Sequence, residues 1–117
     1  MSGQRIIVCG GRDYADRDRV FAVLDALHAA DPIAALGCGL APGADALAVE
    51  WAKARSVRGL GFRAMWDRDG KVAGPLRNQR MLKKMAPALV VAFPGGRGTA
   101  DMTRRAKAAG VRVMNVA

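Results

Sequence analysis

Apolar residues along this chain occur in short runs that alternate with stretches of helical spacing. Runs at 5–9, 33–38 and 88–93 predict strands, and a weaker strand is expected at 60–65, where glycines blur its start. Three valines within 111–116 predict a last strand. Two of these strands are nearly continuous in apolar residues, which is typical of a parallel sheet covered on both faces.

Between the strands, apolar residues recur at the spacing of a helix with one buried face. Four helices are predicted: from near Asp16, over 44–55, from Pro75 to before Pro87, and over 99–109. The segment 66–74 is expected to be a polar loop. The alternation predicts an α/β fold with an open parallel five-stranded sheet and helices on both faces, for which we expect the strand order 3-2-1-4-5.

Glycine-rich loops follow strands one, two and four. Right-handed crossovers bring these loops to the same carboxyl edge, and the predicted order puts the switch point, where open α/β sheets bind ligands, between strands one and four. The loop 94–99 has the sequence Pro-Gly-Gly-Arg-Gly-Thr. Its glycines let backbone N–H groups approach an anion, Thr99 can cap the next helix, and Arg97 adds a full charge. A phosphate is therefore expected where that helix begins.

These loops, with the helix that follows strand three, supply the predicted binding residues. The ligand- and phosphate-binding set is Gly10, Gly11, Arg12, Gly43, Asp45, Arg77, Asn78, Pro94, Gly95, Gly96, Arg97, Gly98 and Thr99. Several members have a structural alternative. Arg12 contacts phosphate or pairs with Asp13, and Arg77 contacts phosphate or projects into water. Asn78 needs a partner, which is either the ligand or a backbone carbonyl.

Catalytic and stacking roles are assigned to fewer residues. Asp45 either caps its helix, or bonds a ribose hydroxyl, or acts as a catalytic carboxylate, and Asp101 is the other candidate catalytic group. Trp66 and Tyr14 are candidates for base stacking, with packing as the alternative. No nucleophile with an activating base is evident, so an enzyme here has to use carboxylates and bound phosphate.

Composition narrows the class of protein. A chain of 117 residues that is 51% hydrophobic fits a single domain, 1–117, with a sizeable core. No apolar stretch approaches the roughly 18 residues that span a bilayer, and no signal peptide is evident, so we expect a cytoplasmic protein without a membrane partner. Two cysteines and one histidine cannot form a four-ligand zinc site, so no metal centre is expected. Asp67 and Asp69 either hold magnesium or belong to a solvated loop.

Charge is distributed unevenly along the chain. The net charge is +9, and residues 61–117 hold twelve Lys and Arg against three Asp and Glu, whereas residues 1–60 hold seven of each kind. This asymmetry is consistent with a nucleic-acid partner, with a cleft for phosphorylated small molecules, or with helix faces whose charges are only solvated.

Four segments occur in a distinctive order: residues 10–14, Gly43-Ala44-Asp45 with Trp51, residues 73–78 with Met81-Leu82, and residues 93–99. Together they span most of the chain and resemble the YspA-like family of the SLOG superfamily. The resemblance implies a Rossmann-like sheet, a nucleotide-derived ligand, and kinship with Lonely Guy phosphoribohydrolases, molybdenum-cofactor carriers and the DNA-processing protein DprA. It also implies a homodimer as an alternative to a monomer.

Two positions depart from the patterns of the relatives. Phosphoribohydrolases have a motif similar to Pro-Gly-Gly-x-Gly-Thr-x-x-Glu, and Met102 stands here in place of the glutamate. Asp101 lies about 100° away around the helix and does not substitute directly. In the second loop Pro42 stands where relatives have an arginine, which removes a cation and a backbone donor.

We therefore expect a domain that binds a nucleotide-derived phosphorylated ligand, ADP-ribose-like or a nucleoside monophosphate, as a sensor or carrier. One alternative is a phosphoribohydrolase-like or other hydrolase that cleaves N-glycosidic or phosphoester bonds of nucleotides. The other is a protein that binds single-stranded nucleic acid.

Overall fold

Five strands form one parallel sheet at the centre of the protein. The computed structural model describes residues 3–117. The strands are β1 (Gln4–Cys9), β2 (Ile33–Cys38), β3 (Arg58–Gly61), β4 (Leu89–Ala92) and β5 (Arg112–Asn115). Their order is β3-β2-β1-β4-β5, and every neighbouring pair is parallel, which confirms the predicted topology.

Helices connect the strands and cover both faces of the sheet. They are α1 (Arg17–Ala30), α2 (Ala44–Ala54), α3 (Trp66–Asp69), α4 (Ala73–Met85) and α5 (Arg97–Ala108), with a 3₁₀ turn at Gly70–Val72 between α3 and α4. Consecutive side chains of β1 point to opposite faces, as in any strand. Ile6 belongs to a core with Trp51 of α2, whereas Ile7 belongs to a second core with Met81 of α4 and Met102 of α5. The expected two-sided α/β fold is therefore confirmed.

Three elements differ from the prediction. Strand β3 ends at Gly61 rather than near 65, because Cys38 and Gly61 are the last pair in its register with β2. The segment expected to be a polar loop contains the short helix α3 and the 3₁₀ turn. Helix α5 begins at Arg97 with Gly96 as its N-cap, so Thr99 lies inside the first turn and its side chain does not cap the helix.

Cys9 and Cys38, at the carboxyl ends of β1 and β2, are buried free thiols. Burial raises the pKa of Cys9 to about 12 and the pKa of Cys38 to about 11. Both groups therefore stay protonated at neutral pH, and neither is an activated nucleophile. Across residues 3–117, no helix has the length and apolar character that crossing a membrane requires.

Candidate functional site

A cleft of about 430 Å³ opens at the carboxyl edge of the sheet, where the chain leaves β1 and β4. This is the switch point at which ligands of open α/β sheets bind. The predicted residues that line it are Gly10, Gly11, Arg12, Asp45, Trp66, Arg77, Asn78, Gly96, Arg97, Gly98, Thr99 and Asp101. The fold thus brings most of the predicted set together from four separate segments of the chain.

Three of the loop glycines are required by contacts between backbones. A Cβ on Gly11 would lie 2.9 Å from the carbonyl oxygen of Pro94, and one on Gly95 would lie 2.7 Å from the nitrogen of Gly11. Gly43 has φ +78, and its Cβ would lie 2.6 Å from the carbonyl oxygen of Arg12. These three glycines let the loops after β1, β2 and β4 pack against each other, which is a structural role.

Gly96 and Gly98 differ from those glycines because a Cβ at either position would meet no atom within 4 Å. Both lie where α5 begins, and Ala100 N donates to Gly96 O at 3.0 Å. In the part of the chain that the structure describes, the N–H groups of Arg97, Gly98 and Thr99 have no protein acceptor. Unpaired N–H groups and the positive end of the helix dipole make this position suited to an anion.

Asp45 lies on the opposite side of the cleft and is only 5% exposed. Its Oδ2 accepts hydrogen bonds from the N–H groups of Gly39 and Ala41, each at 3.1 Å, so the carboxylate ties down the loop that precedes α2. Burial raises the pKa of Asp45, although these N–H groups and the charge of Arg77 oppose that effect. Asp45 therefore holds its loop in place, and it also presents a carboxyl group to the cleft.

Arg77 and Asn78 are adjacent on α4 and join the two sides of the cleft. Arg77 donates through Nη1 to the carbonyl oxygen of Gly39 at 2.9 Å and through Nε to Asn78 Oδ1 at 2.9 Å. Burial lowers the pKa of Arg77, and the negative charge of Asp45 opposes that shift. Asn78 donates through Nδ2 to the carbonyl oxygen of Gly98 at 3.2 Å and to Asp101 Oδ2 at 3.0 Å. The sequence left the partner of Asn78 open between a ligand and a backbone carbonyl, and in the structure its amide bonds the carbonyl of Gly98.

Both oxygens of Asp101 are occupied by protein donors. Arg104 Nη2 donates to Oδ1 at 2.5 Å, and Arg105 Nε donates to Oδ2 at 2.9 Å. Burial alone would raise the pKa of Asp101, but hydrogen bonds from Asn78 and Arg105 and the charges of both arginines lower it. A carboxylate held in this way stays ionised and is suited to fixing Asn78 rather than to donating a proton. Of the two candidate catalytic carboxylates, Asp45 has the environment that better suits a general acid.

Four predicted residues lie outside the lining of the cleft. Tyr14 packs against Phe93, with the ring centroids 5.3 Å apart. This is packing within the protein, which was the predicted alternative to stacking on a base. Gly43 packs against the backbone of Gly11 and Arg12, and Pro94 and Gly95 line a smaller depression beside the cleft. Trp66, which is 54% exposed, does line the cleft.

Sequence reasoning missed Lys71, which lies in the 3₁₀ turn and lines the cleft. The signal that could have identified Lys71 is its position in the segment after strand three. That segment leaves the sheet at the same carboxyl edge as the glycine-rich loops. The charged residues of the lining are therefore Arg12, Lys71, Arg77 and Arg97 against Asp45 and Asp101. Because Asp101 is already paired with two arginines, the cleft has a positive balance that favours an anionic ligand.

The candidate magnesium site is not supported by the geometry of its carboxylates. Asp69 is bonded to its neighbour Arg68, with Nε to Oδ1 at 2.9 Å, and the hydrogen bond from Arg68 lowers the pKa of Asp69. Within residues 3–117, no three His, Cys, Asp or Glu side chains converge in a way that could hold a metal ion.

Comparison with known proteins identifies a family and a similar protein. The profile of the family described as "YspA, cpYpsA-related SLOG family" matches residues 4–68, which include β1, β2, β3 and the loops that follow them. The "Gene 61 protein" of Mycobacterium phage D29 is 37% identical over 120 residues, which cover 96% of this chain and 95% of that protein. The similarity therefore extends over both sides of the cleft, and the chain belongs to the YspA, cpYpsA-related SLOG family.

Proposed function

We propose that this protein binds a phosphorylated, nucleotide-derived small molecule in the cleft and acts as its sensor or carrier. The observation that carries the proposal is the start of α5, where three N–H groups have no acceptor within the described residues and two glycines face open space. A phosphate satisfies these N–H groups and meets the positive end of the helix dipole. Membership of a SLOG family, which is associated with nucleotide-related binding or processing, supports the same class of ligand.

The remaining parts of the cleft suit the rest of a nucleotide. Its volume of about 430 Å³ is within the range of about 300–1,000 Å³ that is typical of small-molecule sites. Asp45 uses Oδ2 for its two backbone bonds, and no donor in residues 3–117 bonds its Oδ1. Oδ1 is therefore available to accept a hydrogen bond from a ribose hydroxyl. Trp66 offers an exposed ring for a base or a sugar.

Asp45 also favours a second candidate function, the hydrolysis of an N-glycosidic bond. A buried carboxyl with a raised pKa transfers a proton at neutral pH more readily than an ordinary aspartate. Against this function, the position of the glutamate in phosphoribohydrolases is held by Met102, which is fully buried in the core. Binding without turnover is therefore the first candidate.

A titration separates these functions. The protein is mixed with AMP, ADP-ribose, NAD or a short single strand, thermal stability is followed, and the small-molecule mixtures are chromatographed for released base. A ligand at about one hundred times its Kd stabilises the folded state by about 2.7 kcal/mol. Saturable stabilisation by a nucleotide without released base supports the sensor or carrier. Released base favours the hydrolase. Salt-sensitive binding of the single strand, without any effect of the nucleotides, would overturn both the sensor or carrier and the hydrolase.

A matched pair of variants tests the position of the phosphate. Gly96 has φ −102 and open space around it, so Gly96→Glu is expected to fold but to abolish stabilisation by nucleotides through charge repulsion. Gly59→Glu makes the same change on the edge strand β3, where Ala52 Cβ at 4.0 Å is the one neighbour near the added Cβ, and it should leave nucleotide binding intact. Equal binding by both variants would exclude the start of α5 from the site.

A further inference from the structure

A second pocket adjoins the cleft and shares Arg12, Gly39, Ala41 and Trp66 with it. Its volume is about 480 Å³, and its other walls come from residues 63–68 and from the loop that holds Leu40 and Pro42. The two spaces are therefore neighbours that meet at Arg12 and the ring of Trp66. We name this space the adjoining pocket.

The adjoining pocket combines cations with exposed apolar surface. Its charged residues are Arg12, Arg63 and Arg68 against Asp67, and Arg68 is paired with Asp69. Across residues 3–117, the guanidinium groups of Arg12 and Arg63 have neither an ion pair nor a side-chain hydrogen bond, so the pocket has a positive balance. Leu40, Met65 and Trp66 also line it, and they are three of the five large apolar side chains that are exposed in the described chain. Unpaired arginines beside apolar side chains suit a ligand that carries both a phosphate and a ring.

The backbone holds this arrangement in place. Leu40 has φ +59, a conformation that is uncommon for a residue with a side chain. A Cβ on the facing residue Gly61 would lie 2.7 Å from Leu40 Cγ, so glycine at 61 makes room for the leucine. On the opposite wall, Arg80 Nη2 donates to the carbonyl oxygen of Arg63 at 2.7 Å. Unusual backbone conformation of this kind is concentrated at binding sites.

We infer that the adjoining pocket takes the second half of a pyrophosphate-linked nucleotide. The ligand class is then a nucleoside diphosphate joined to a sugar or to a second nucleoside, and not a nucleoside monophosphate. The inference rests on the proposed function, because the first phosphate lies at the start of α5. Arg12, at the boundary, and Arg63, in the adjoining pocket, hold the second phosphate, and Leu40 and Met65 pack against the second sugar or base.

Three ligands of increasing length test the inference on the 117-residue chain. AMP carries one phosphate, ADP carries two, and ADP-ribose carries two with a second sugar; the affinity of each is measured by calorimetry. Two additional charge-assisted hydrogen bonds are expected to give ADP at least about tenfold tighter binding than AMP, and the second sugar should make ADP-ribose tighter still. Equal affinity for ADP and ADP-ribose would overturn the assignment of the second half.

A matched pair of arginine variants locates the contact. Arg63→Gln is expected to weaken ADP-ribose about tenfold and to leave AMP within about twofold. Arg58→Gln removes the same charge at the amino end of β3, away from the carboxyl edge, and should change neither affinity. Equal effects of Arg63→Gln on AMP and ADP-ribose would overturn the inference while leaving the proposed function intact.

Two further outcomes have distinct meanings. If neither AMP nor ADP-ribose binds, the proposed function fails and the inference fails with it. If the phosphodiester dinucleotide pApA binds more tightly than ADP-ribose and loses affinity with salt, the two spaces form a groove for a nucleic-acid strand, and the inference is overturned.

Discussion

Asn78 Nδ2 lies 3.0 Å from Asp101 Oδ2, and this hydrogen bond joins α4 to α5 at the wall of the cleft. The same amide donates to Gly98 O and accepts from Arg77 Nε, so one side chain fixes three groups of the site. Asn78 is only 3% exposed, and its loss would remove three hydrogen bonds of a buried side chain, two of which link α4 to α5. The start of α5 therefore owes its position to a polar contact with α4 as well as to apolar packing.

Replacing Asn78 should destabilise the protein. Asn78→Ala is expected to lower the free energy of unfolding by about 1–3 kcal/mol, because three hydrogen bonds of a buried side chain are lost. Unfolding in urea is monitored by circular dichroism. Gln79→Ala, at the exposed neighbouring position on α4, serves as the control and should change stability by less than about 0.5 kcal/mol. Equal losses in the two variants would show that the network of Asn78 contributes nothing.

The contribution of Asp101 should depend on pH. Its pKa in the folded state is below the ordinary value, so the ionised carboxylate stabilises the folded state above about pH 4, and this stabilisation is lost as the pH falls through the folded pKa. Asp101→Asn is therefore expected to cost about 1–3 kcal/mol at pH 7 and progressively less as the pH is lowered from about 4 through the folded pKa. Denaturant curves for both proteins across this pH range test it. A difference that stays constant with pH would contradict the role of ionised Asp101.

Asp25 supports the buried ring of Trp51. Trp51 Nε1 donates to Asp25 Oδ1 at 2.8 Å, and hydrogen bonds from Arg55 and Trp51 lower the pKa of Asp25 to about 2. Asp25→Ala is expected to cost about 1–3 kcal/mol, because it removes the acceptor of a fully buried indole. Asp25→Asn keeps an oxygen for the indole and should cost less.

Fluorescence can follow these two variants at a single tryptophan. In a Trp66→Phe background, Trp51 is the remaining tryptophan, so its emission reports unfolding from within the core. Equal losses of stability in Asp25→Ala and Asp25→Asn would mean that the ion pair with Arg55 matters and that the indole bond does not.

Contacts between loop backbones make Gly43 hard to replace. Gly43→Ala combines a left-handed φ of +78 with a methyl group that would meet the carbonyl oxygens of Gly11 and Arg12. We expect a loss of more than about 3 kcal/mol in urea denaturation. Gly110→Ala is the control for positive φ, because φ is +76 there but no atom lies within 4 Å, and it should cost only about 1–2 kcal/mol. Similar losses would show that backbone conformation, and not loop packing, requires glycine at position 43.

Much of the site could be predicted because parallel strands bring their loops to one edge. The glycine-rich loops after β1, β2 and β4 and the residues Asp45, Arg77 and Asn78 followed from that rule. The spacing of Asp101 with Arg104 and Arg105 is also a sequence signal, because residues three and four apart share a helix face. The helix α3 was missed because its four residues show no apolar periodicity.

Two distinctions could not be made from spacing. Gly11 and Gly96 are both glycines in loops at the same sheet edge, yet one packs against the carbonyl oxygen of Pro94 and the other faces open space. Asp45 and Asp101 both line the cleft, yet burial raises one pKa and hydrogen bonds lower the other. Both differences depend on how closely the loops and helices approach each other.

The sequence by itself determined the alternation of strands and helices, the parallel sheet and the common edge at which the loops after the strands lie, because hydrophobic periodicity and the handedness of crossovers are local properties of the chain. Only the tertiary structure decided which glycines are structural, which carboxylate is already paired, and that a second pocket with Arg12 and Arg63 adjoins the cleft. These features depend on distances between segments far apart in the chain, and such distances are set by the packing of α4 and α5 on the sheet.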